Sequence, residues 1–559
     1  MDLPEACWEL ICKLIEKDDY RFLESVSLVS TSFLSITNRV RSTFTITDRT
    51  VPLLHRHLRR FRNLKRVSFH HFTKNPVSTL LQVSRSGLDL ESLDVWGMPY
   101  FPDSEKSGMK MMSNLKEFNV GAIKELREID LVSIGLCFPS LEKLHIGYID
   151  FLPGPVLDSA IISLSQNLPG LLKIDVTGNT LMTDKSLISL SRNCVLLREV
   201  ILRDCDLISS DGIEFLLRNS KKLESLAVSG IGWPPKESFS TDAFVYARCL
   251  SELDLSGSSI SVEFLRSIAD AKLPLKKLLL SYCEGIDFDG LLYLVSKYQT
   301  LVELSLKGSS FLTDEMVTKL VVFLRCLTSV NLSWCSKLTG VTFFNIVETC
   351  VSIKRVKMRV TSFGVEETSK EVDINIKSGL KSLYISGHQS LGDECIEKIS
   401  RHCPFLETLD FGGCNAITRD GMLQVLRNCG NLTSLNIEEC IDIKCIGVVD
   451  FELPKLETLR TCGNWINEQE PYTIRKMCGG LLTLDLRGSF NVRSRGVKEI
   501  VRRCTRLRAI FLDKCEADDE VFTWLVCEIP SLKKIVGPSG FSPSLELKNL
   551  ALRHGCVIY

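Results

Sequence analysis

Apolar residues recur along this chain in the order Leu-x-x-Leu-x-Leu, with conservative exchanges, nineteen times between Leu64 and Leu532. The spacing is roughly 26 residues, within the range of a structural repeat. One copy, from Leu406 to Asn431, reads LETLDFGGCNAITRDGMLQVLRNCGN. In it Leu406, Leu409 and Phe411 face one way and Thr408 and Asp410 the other, the period of a short strand with one apolar face. After a turn at Cys414 and Asn415, Met422, Leu423, Val425 and Leu426 form the apolar stripe of a helix that Thr418 or Asp420 can cap. Copies that keep these features begin at Leu171, Leu197, Leu275, Leu301, Leu327, Leu432, Leu481 and Leu507.

Period and strand signature together are those of a leucine-rich repeat. The expected fold is therefore α/β: a solenoid, horseshoe-like, with parallel strands on the inside and helices on the outside. One repeat cannot bury both of its faces, so stability comes from stacking and each end needs a cap.

Charge narrows the class. The 68 basic and 68 acidic residues cancel, which argues against a nucleic-acid coat or a membrane-surface protein, both usually strongly basic. The acidic, amphipathic start MDLPEACWELICKLIEKDD has no basic stretch before a long apolar run, as a signal peptide would. No apolar stretch approaches the roughly 18 residues of a membrane span. The expected location is the nucleus or the cytoplasm.

Most of the 22 cysteines obey the repeat. Cys205, Cys283, Cys335, Cys414, Cys440 and Cys515 each stand eight residues after a repeat's first apolar residue; Cys194, Cys350, Cys403, Cys429, Cys478 and Cys504 each stand three before the next repeat. Thiols at equivalent sites predict buried packing residues and a reducing compartment. There is no C-x-x-C or H-E-x-x-H, and the pairs His55/His57 and His70/His71 lack ligand-spaced partners, so no metal or cofactor is expected. No phosphate loop, G-x-S-x-G or kinase signature is present. Asp314/Glu315 and Asp518/Asp519 fall at helix starts, where carboxylates meet free N–H groups. Catalysis is not expected.

The repeat leaves the first forty residues unexplained. Residues 3–36, LPEACWELICKLIEKDDYRFLESVSLVSTSFLSI, place Leu3 and Pro4 at the opening, Trp8, Ile11 and Ile15 on one side of a helix, and Leu23, Leu28, Val29 and Phe33 beyond it. Such short helices carry more apolar surface than so few residues bury internally. The segment resembles an F-box, although Phe33 stands where many F-boxes have tryptophan and the stretch Glu16–Phe22 is a few residues longer than the commonest spacing. An F-box followed by cysteine-containing repeats of this length is similar to the F-box/leucine-rich-repeat proteins, plant members above all. The resemblance implies that these nine residues bind a Skp-type adaptor, and through it the cullin and RING subunits of an SCF ubiquitin ligase. The chain would then be a non-catalytic subunit holding a protein substrate on its inner wall. A plain helical cap on a ligase-independent scaffold is the competing reading of the same helices. The expected organisation is an F-box at 1–45, a linker or cap at 46–63, repeats at 64–535 and a C-terminal cap at 536–559.

Register also names the residues that face the inner wall. Most are bland, such as Ser225, Ala227 and Ser229, or Ser329, Asn331 and Ser333. The repeat at Ile353 instead presents Arg355, Lys357 and Arg359, three like charges at alternate positions that are costly without an anion. Tyr384 follows in the next repeat, and Arg460 and Arg487 further on, flanked by Asp410 and Asp485. An acidic or phosphorylated protein segment would suit this strand. So would an inositol phosphate, which the resemblance suggests through hormone-sensing members of the family. Those members use long inter-repeat loops, whereas the longest spacing here, Leu141 to Leu171, adds only FLPGP-like material; direct protein recognition is favoured over a small-molecule co-receptor.

Irregular stretches between Leu90 and Leu141, at RVTSFGVEETSKEVDINIKSG and at GWPPKESFS read as drifted repeats or recognition loops. The basic run His55–Arg66, HRHLRRFRNLKR, reads either as an import patch or as the solvated face of the first helix.

Overall fold

A computed structural model describes residues 3–19, 22–48, 50–69, 76–97, 101, 109, 111–123, 127–147, 158–230, 243–364, 378–440, 442–443, 453, 455–461, 479–489, 492–502 and 504–559. GWPPKESFS, FLPGP, the centre of the stretch after Arg359, His70, His71 and Cys478 lie outside them.

The described chain forms two compact units. The first comprises Met1–Leu275 with Cys283–Ile286, the second Lys276–Tyr282 with Asp287–Tyr559. No break in the repeat pattern marks the division.

The first unit opens with three helices, α1 (Glu5–Asp19), α2 (Phe22–Ser27) and α3 (Thr31–Val40). Their interior is small: Cys12, Leu23, Ile36 and Val40, with Trp8, Ile15 and Val26 packed against them. Ser30 caps α3 by accepting the Phe33 N–H at 3.2 Å. Arg39 closes the bundle by pairing with Glu5 and, at 2.8 Å, with Glu9. Glu16 joins the bundle to the sheet, accepting the backbone N–H groups of Ser42 and, at 3.1 Å, Thr43.

The parallel sheet of this unit runs from β1 (Thr43–Ile46) to β9 (Glu252–Asp254). It therefore begins before Leu64, inside the segment expected to be F-box and linker. Thr43 and Ile46 of β1 align with Arg66 and Phe69 of β2 (Arg66–Phe69), and Phe44 and Ile46 are buried as repeat leucines are. Aromatic and β-branched residues replace the leucines here and hide the repeat from the consensus. The helix Leu54–Arg60 completes this extra copy. Leu54, Leu58 and Phe61 are buried, leaving His55, Arg56, Arg59 and Arg60 exposed.

The second unit carries parallel strands from β10 (Lys277–Leu279) to β21 (Val557–Ile558). Again the array outruns the consensus: Val557 pairs with Lys534, and the helix Leu545–Arg553 packs behind, so the expected C-terminal cap is itself a short repeat. In the copy at Leu406, Leu406, Leu409, Phe411, Met422, Leu423, Val425 and Leu426 are all buried, and Thr418 is the cap, accepting the Asp420 N–H at 3.2 Å.

Two ladders stitch neighbouring repeats. In the first, the residue eight positions into a repeat donates to a carbonyl of the repeat before. Cys335 Sγ reaches Leu306 O at 3.2 Å, Cys414 reaches Ile385 O at 3.2 Å and Cys515 reaches Leu486 O at 3.2 Å. Asn179 and His388 occupy the same position and lie 3.1 Å from Ile146 O and 2.7 Å from Met358 O. A buried carbonyl needs a donor, and any small donor serves. The cysteines among the described residues are free thiols.

In the second ladder an aspartate at a helix start serves the next helix. Asp314 accepts the N–H of Thr339 at 2.9 Å and the hydroxyls of Thr339 at 2.7 Å and Thr342 at 2.5 Å. Asp158, Asp184 and Asp393 do the same for Thr183, Ser209 and Thr418. Asp518 instead caps its own helix through the Val521 N–H at 3.0 Å. Capping was the expectation for Asp314; the structure moves it across the repeat boundary.

Candidate functional site

The three N-terminal helices divide the nine residues expected at an adaptor surface into two groups. Leu28 is 86% exposed and Val29 68%, at the turn between α2 and α3, and Leu3 and Pro4 are exposed ahead of α1. Ile11 is half-buried. Trp8, Ile15, Leu23 and Phe33 point the other way. The Trp8 and Phe33 rings meet edge to face at 4.8 Å, Ile15 packs on the small core, and Leu23 is fully buried within it. Leu23 therefore builds the bundle and presents nothing to a partner. Leu10 and Leu14, one turn apart on α1, are 61% and 62% exposed. The expected register overlooked them because Trp8, Ile11 and Ile15 formed the better apolar stripe, and that stripe is the one the bundle consumes.

The second candidate lies in the second unit. On β13 (Arg355–Lys357), Arg355 aligns with Ser329 on one side and Ser382 on the other; Lys357 aligns with Asn331 and Tyr384. Serine and asparagine neighbours neither crowd nor neutralise the cations. The Lys357 ammonium sits 5.5 Å and the Arg359 guanidinium 5.1 Å from the centre of the Tyr384 ring. Burial, then the charges of Arg355 and Arg359, hold Lys357 below the usual lysine range; Glu303 opposes this and Lys307 adds to it. Among the described residues neither Arg355 nor Lys357 has a carboxylate ion-pair partner. Arg359 does: it pairs with Asp410, which is also held by the Asn436 amide at 2.9 Å and the Gly412 N–H at 3.2 Å.

Arg460 and Arg487 do not join this group. Arg460 is exposed, in register with Asn436 and Asp485. Arg487 folds back on Asp485, two residues earlier, with contacts of 2.7 to 3.1 Å. Asp485 thus belongs to Arg487 and Asp410 to Arg359, two strands short of Arg460.

Two aromatic residues absent from the sequence expectations stand on the same side of the basic strand, Trp334 in the neighbouring repeat and Tyr282 two repeats further. The residue seven positions into a repeat closes the turn with positive φ, and glycine holds that place at Gly308, Gly387, Gly413 and Gly488. Side chains hold it at Tyr282 (φ 55°), Trp334 (φ 66°), Val360, Glu439 and Lys514, and of these Tyr282 and Trp334 are aromatic and 50% and 52% exposed. Side chains rarely adopt this backbone. Tyr282 fits because the next repeat has Gly308, where a Cβ would stand 2.3 Å from the tyrosine ring; Lys307 Nζ lies 4.9 Å from the same ring. The signal was available: large aromatic residues at an exposed turn position of the repeat.

A family profile described as Leucine Rich repeat matches residues 402–424. Two curated relatives align over longer stretches. "F-box/LRR-repeat protein 4" of Bos taurus is 28% identical over 170 residues, 29% of this chain and 27% of its own length. "BTB/POZ domain-containing protein FBL11" of Arabidopsis thaliana is 20% identical over 426 residues, 69% of this chain and 44% of its own. The chain is thus similar, over part of its length, to a protein named as an F-box/LRR-repeat protein. It spans less than half the length of either relative. Among solved structures, the complex of TLR13 with ssRNA13 aligns at 14% identity and a TM-score of 0.46, covering 89% of this chain and 82% of that one.

Proposed function

We propose that this protein is the substrate-recognition subunit of an SCF-type ubiquitin ligase. In this reading α1 to α3 dock on a Skp-type adaptor, and the repeat wall holds the protein to be modified. The observation that carries it is the exposure of Leu28 and Val29, with Leu3, Leu10 and Leu14, around a bundle whose own core is already filled. Large apolar side chains grouped on so small an element mark an interaction surface. Burying Leu28 and Val29 alone would contribute on the order of 3 kcal/mol to adaptor binding.

Mechanism then follows from tethering. The bundle is anchored to the wall's first strand through Glu16. A protein held by the wall is thereby brought to the ligase at high effective concentration, and its lysines react with the ubiquitin-loaded enzyme that the other subunits carry. This chain contributes binding and position; the bond-making residues belong to its partners. The test is adaptor capture by the full chain, with Leu28→Asp/Val29→Asp beside wild type. The variant leaves the bundle core untouched and should lose the adaptor.

A further inference from the structure

We propose that Tyr282, Lys307, Trp334, Arg355, Lys357 and Arg359 form one docking strip, and that its occupant is an acidic peptide segment of a partner protein carrying a large apolar side chain. The strip lies wholly within the second unit. Its members are adjacent through the ladder: Tyr282 N–H donates to Lys307 O at 2.6 Å, Gly308 N–H to Ser333 O at 2.9 Å and Trp334 N–H to Arg359 O at 2.8 Å. Neighbouring parallel strands lie about 4.8 Å apart, so Tyr282 and Trp334 stand roughly 10 Å from each other, as do Lys307 and Lys357. An extended segment crossing the strands would meet a cation or an aromatic ring at nearly every step.

Three observations favour that occupant. Folding alone does not call for an indole at Trp334: it is half exposed in left-handed backbone, at a turn position that glycine holds four times and Val360, Glu439 and Lys514 hold elsewhere in this unit. Trp, Tyr and Arg are also the residues in which binding energy concentrates. Finally, Arg355, Arg359 and Lys307 bring three further cations around Lys357, and among the described residues only Arg359 of the four has a paired carboxylate. Carboxylates from outside complete the charge pattern, and an apolar side chain covers the exposed indole.

This inference deepens the proposed receptor role, on which it rests for the identity of the captured protein as a substrate; peptide binding itself needs no adaptor. The experiment is selection of a random twelve-residue phage-displayed peptide library on the full chain, with Trp334→Gly and Arg355→Glu/Lys357→Glu in parallel. Wild type should enrich peptides with Asp or Glu beside Phe, Leu, Ile or Trp. Resynthesised peptides should bind each variant about thirtyfold more weakly, the loss of one hot-spot contact. Trp334→Gly should melt no lower than wild type, so that lost binding cannot be ascribed to lost folding. Enrichment of basic or uncharged peptides, or acidic peptides that bind the variants as well as wild type, would overturn the proposal. Adaptor capture is measured on the same variants and should not change, which separates failure of this strip from failure of the receptor reading.

Discussion

Arg359 reaches past the Tyr384 ring to the carboxylate of Asp410, so one acid on the second strand along anchors the one cation of the basic strip that has an ion-pair partner among the described residues. Asp410 is 5% exposed and holds the Gly412 N–H and the Asn436 amide as well. Asp410→Ala should lower unfolding stability by about 1–3 kcal/mol, the cost of leaving buried donors unmet. It should also strengthen binding of acidic peptides, because it releases a positive charge. Chemical denaturation and peptide titration on the same preparation check the two opposite signs.

Asp393 and Gly421 set a second relationship that sequence spacing could not show. A Cβ at Gly421 would stand 2.2 Å from Asp393 Oδ1, the atom that accepts the Thr418 N–H at 2.7 Å. Gly421→Ala should therefore destabilise by about 1–3 kcal/mol despite alanine's better helix propensity. Gly496 occupies the equivalent helix position, where a Cβ would meet Val492 Cγ1 at an ordinary 3.5 Å. Gly496→Ala should stabilise by about 0.5–1 kcal/mol. Melting curves of the two variants should move in opposite directions.

The buried thiols give the protein an alkaline limit. Burial pushes Cys194, Cys205, Cys414, Cys429, Cys504 and Cys515 up to about 12, and Cys335 and Cys440 to about 11. An unfolded thiol ionises near 8.5. Folding thus favours the protonated form, its stabilising effect is complete below about pH 8.5 and is lost as pH rises toward 12. Denaturation midpoints should be flat through neutrality and fall steadily above pH 9. At pH 8 an alkylating reagent should modify the exposed Cys7, Cys249, Cys326 and Cys527 while sparing the buried set, as peptide mapping will show.

Within the N-terminal bundle, Leu23→Ala removes a fully buried side chain from a core of very few residues. The expected loss is about 2–5 kcal/mol, enough to melt so small a bundle locally. Hydrogen exchange should then quicken across α1 to α3 while the repeat strands keep their protection.

The repeat was legible because stacking leaves one mark per turn: leucines at Leu406 and Leu409, a buried thiol at Cys414, a capping Thr418. Its ends were not, since Phe44, Ile46, Val557 and Ile558 fill the same places without the consensus letters. At the bundle, periodicity could find an apolar stripe but could not say whether it faced inward, so Leu23 was assigned outward and Leu10 and Leu14 were missed. On the wall, register put Arg355, Lys357, Arg359 and Tyr384 on neighbouring strands, and the Lys357 and Arg359 cations lie against the Tyr384 ring. It set Asp410 beside Arg460 and Arg487 and left its pairing with Arg359 unseen, because side-chain reach across strands is not written in spacing.

The central claim is that the exposed residues of α1 to α3 bind a Skp-type adaptor. The most direct measurement is the affinity of the purified full chain for that adaptor, set beside the affinities of Leu28→Asp/Val29→Asp and Leu3→Ala/Pro4→Ala. The account predicts tight binding by wild type, a loss of at least about thirtyfold in the aspartate variant, and repeat melting unchanged in both. Absence of adaptor binding by wild type, or equal binding by all three proteins, would contradict it and leave the bundle as a helical cap on the repeat array.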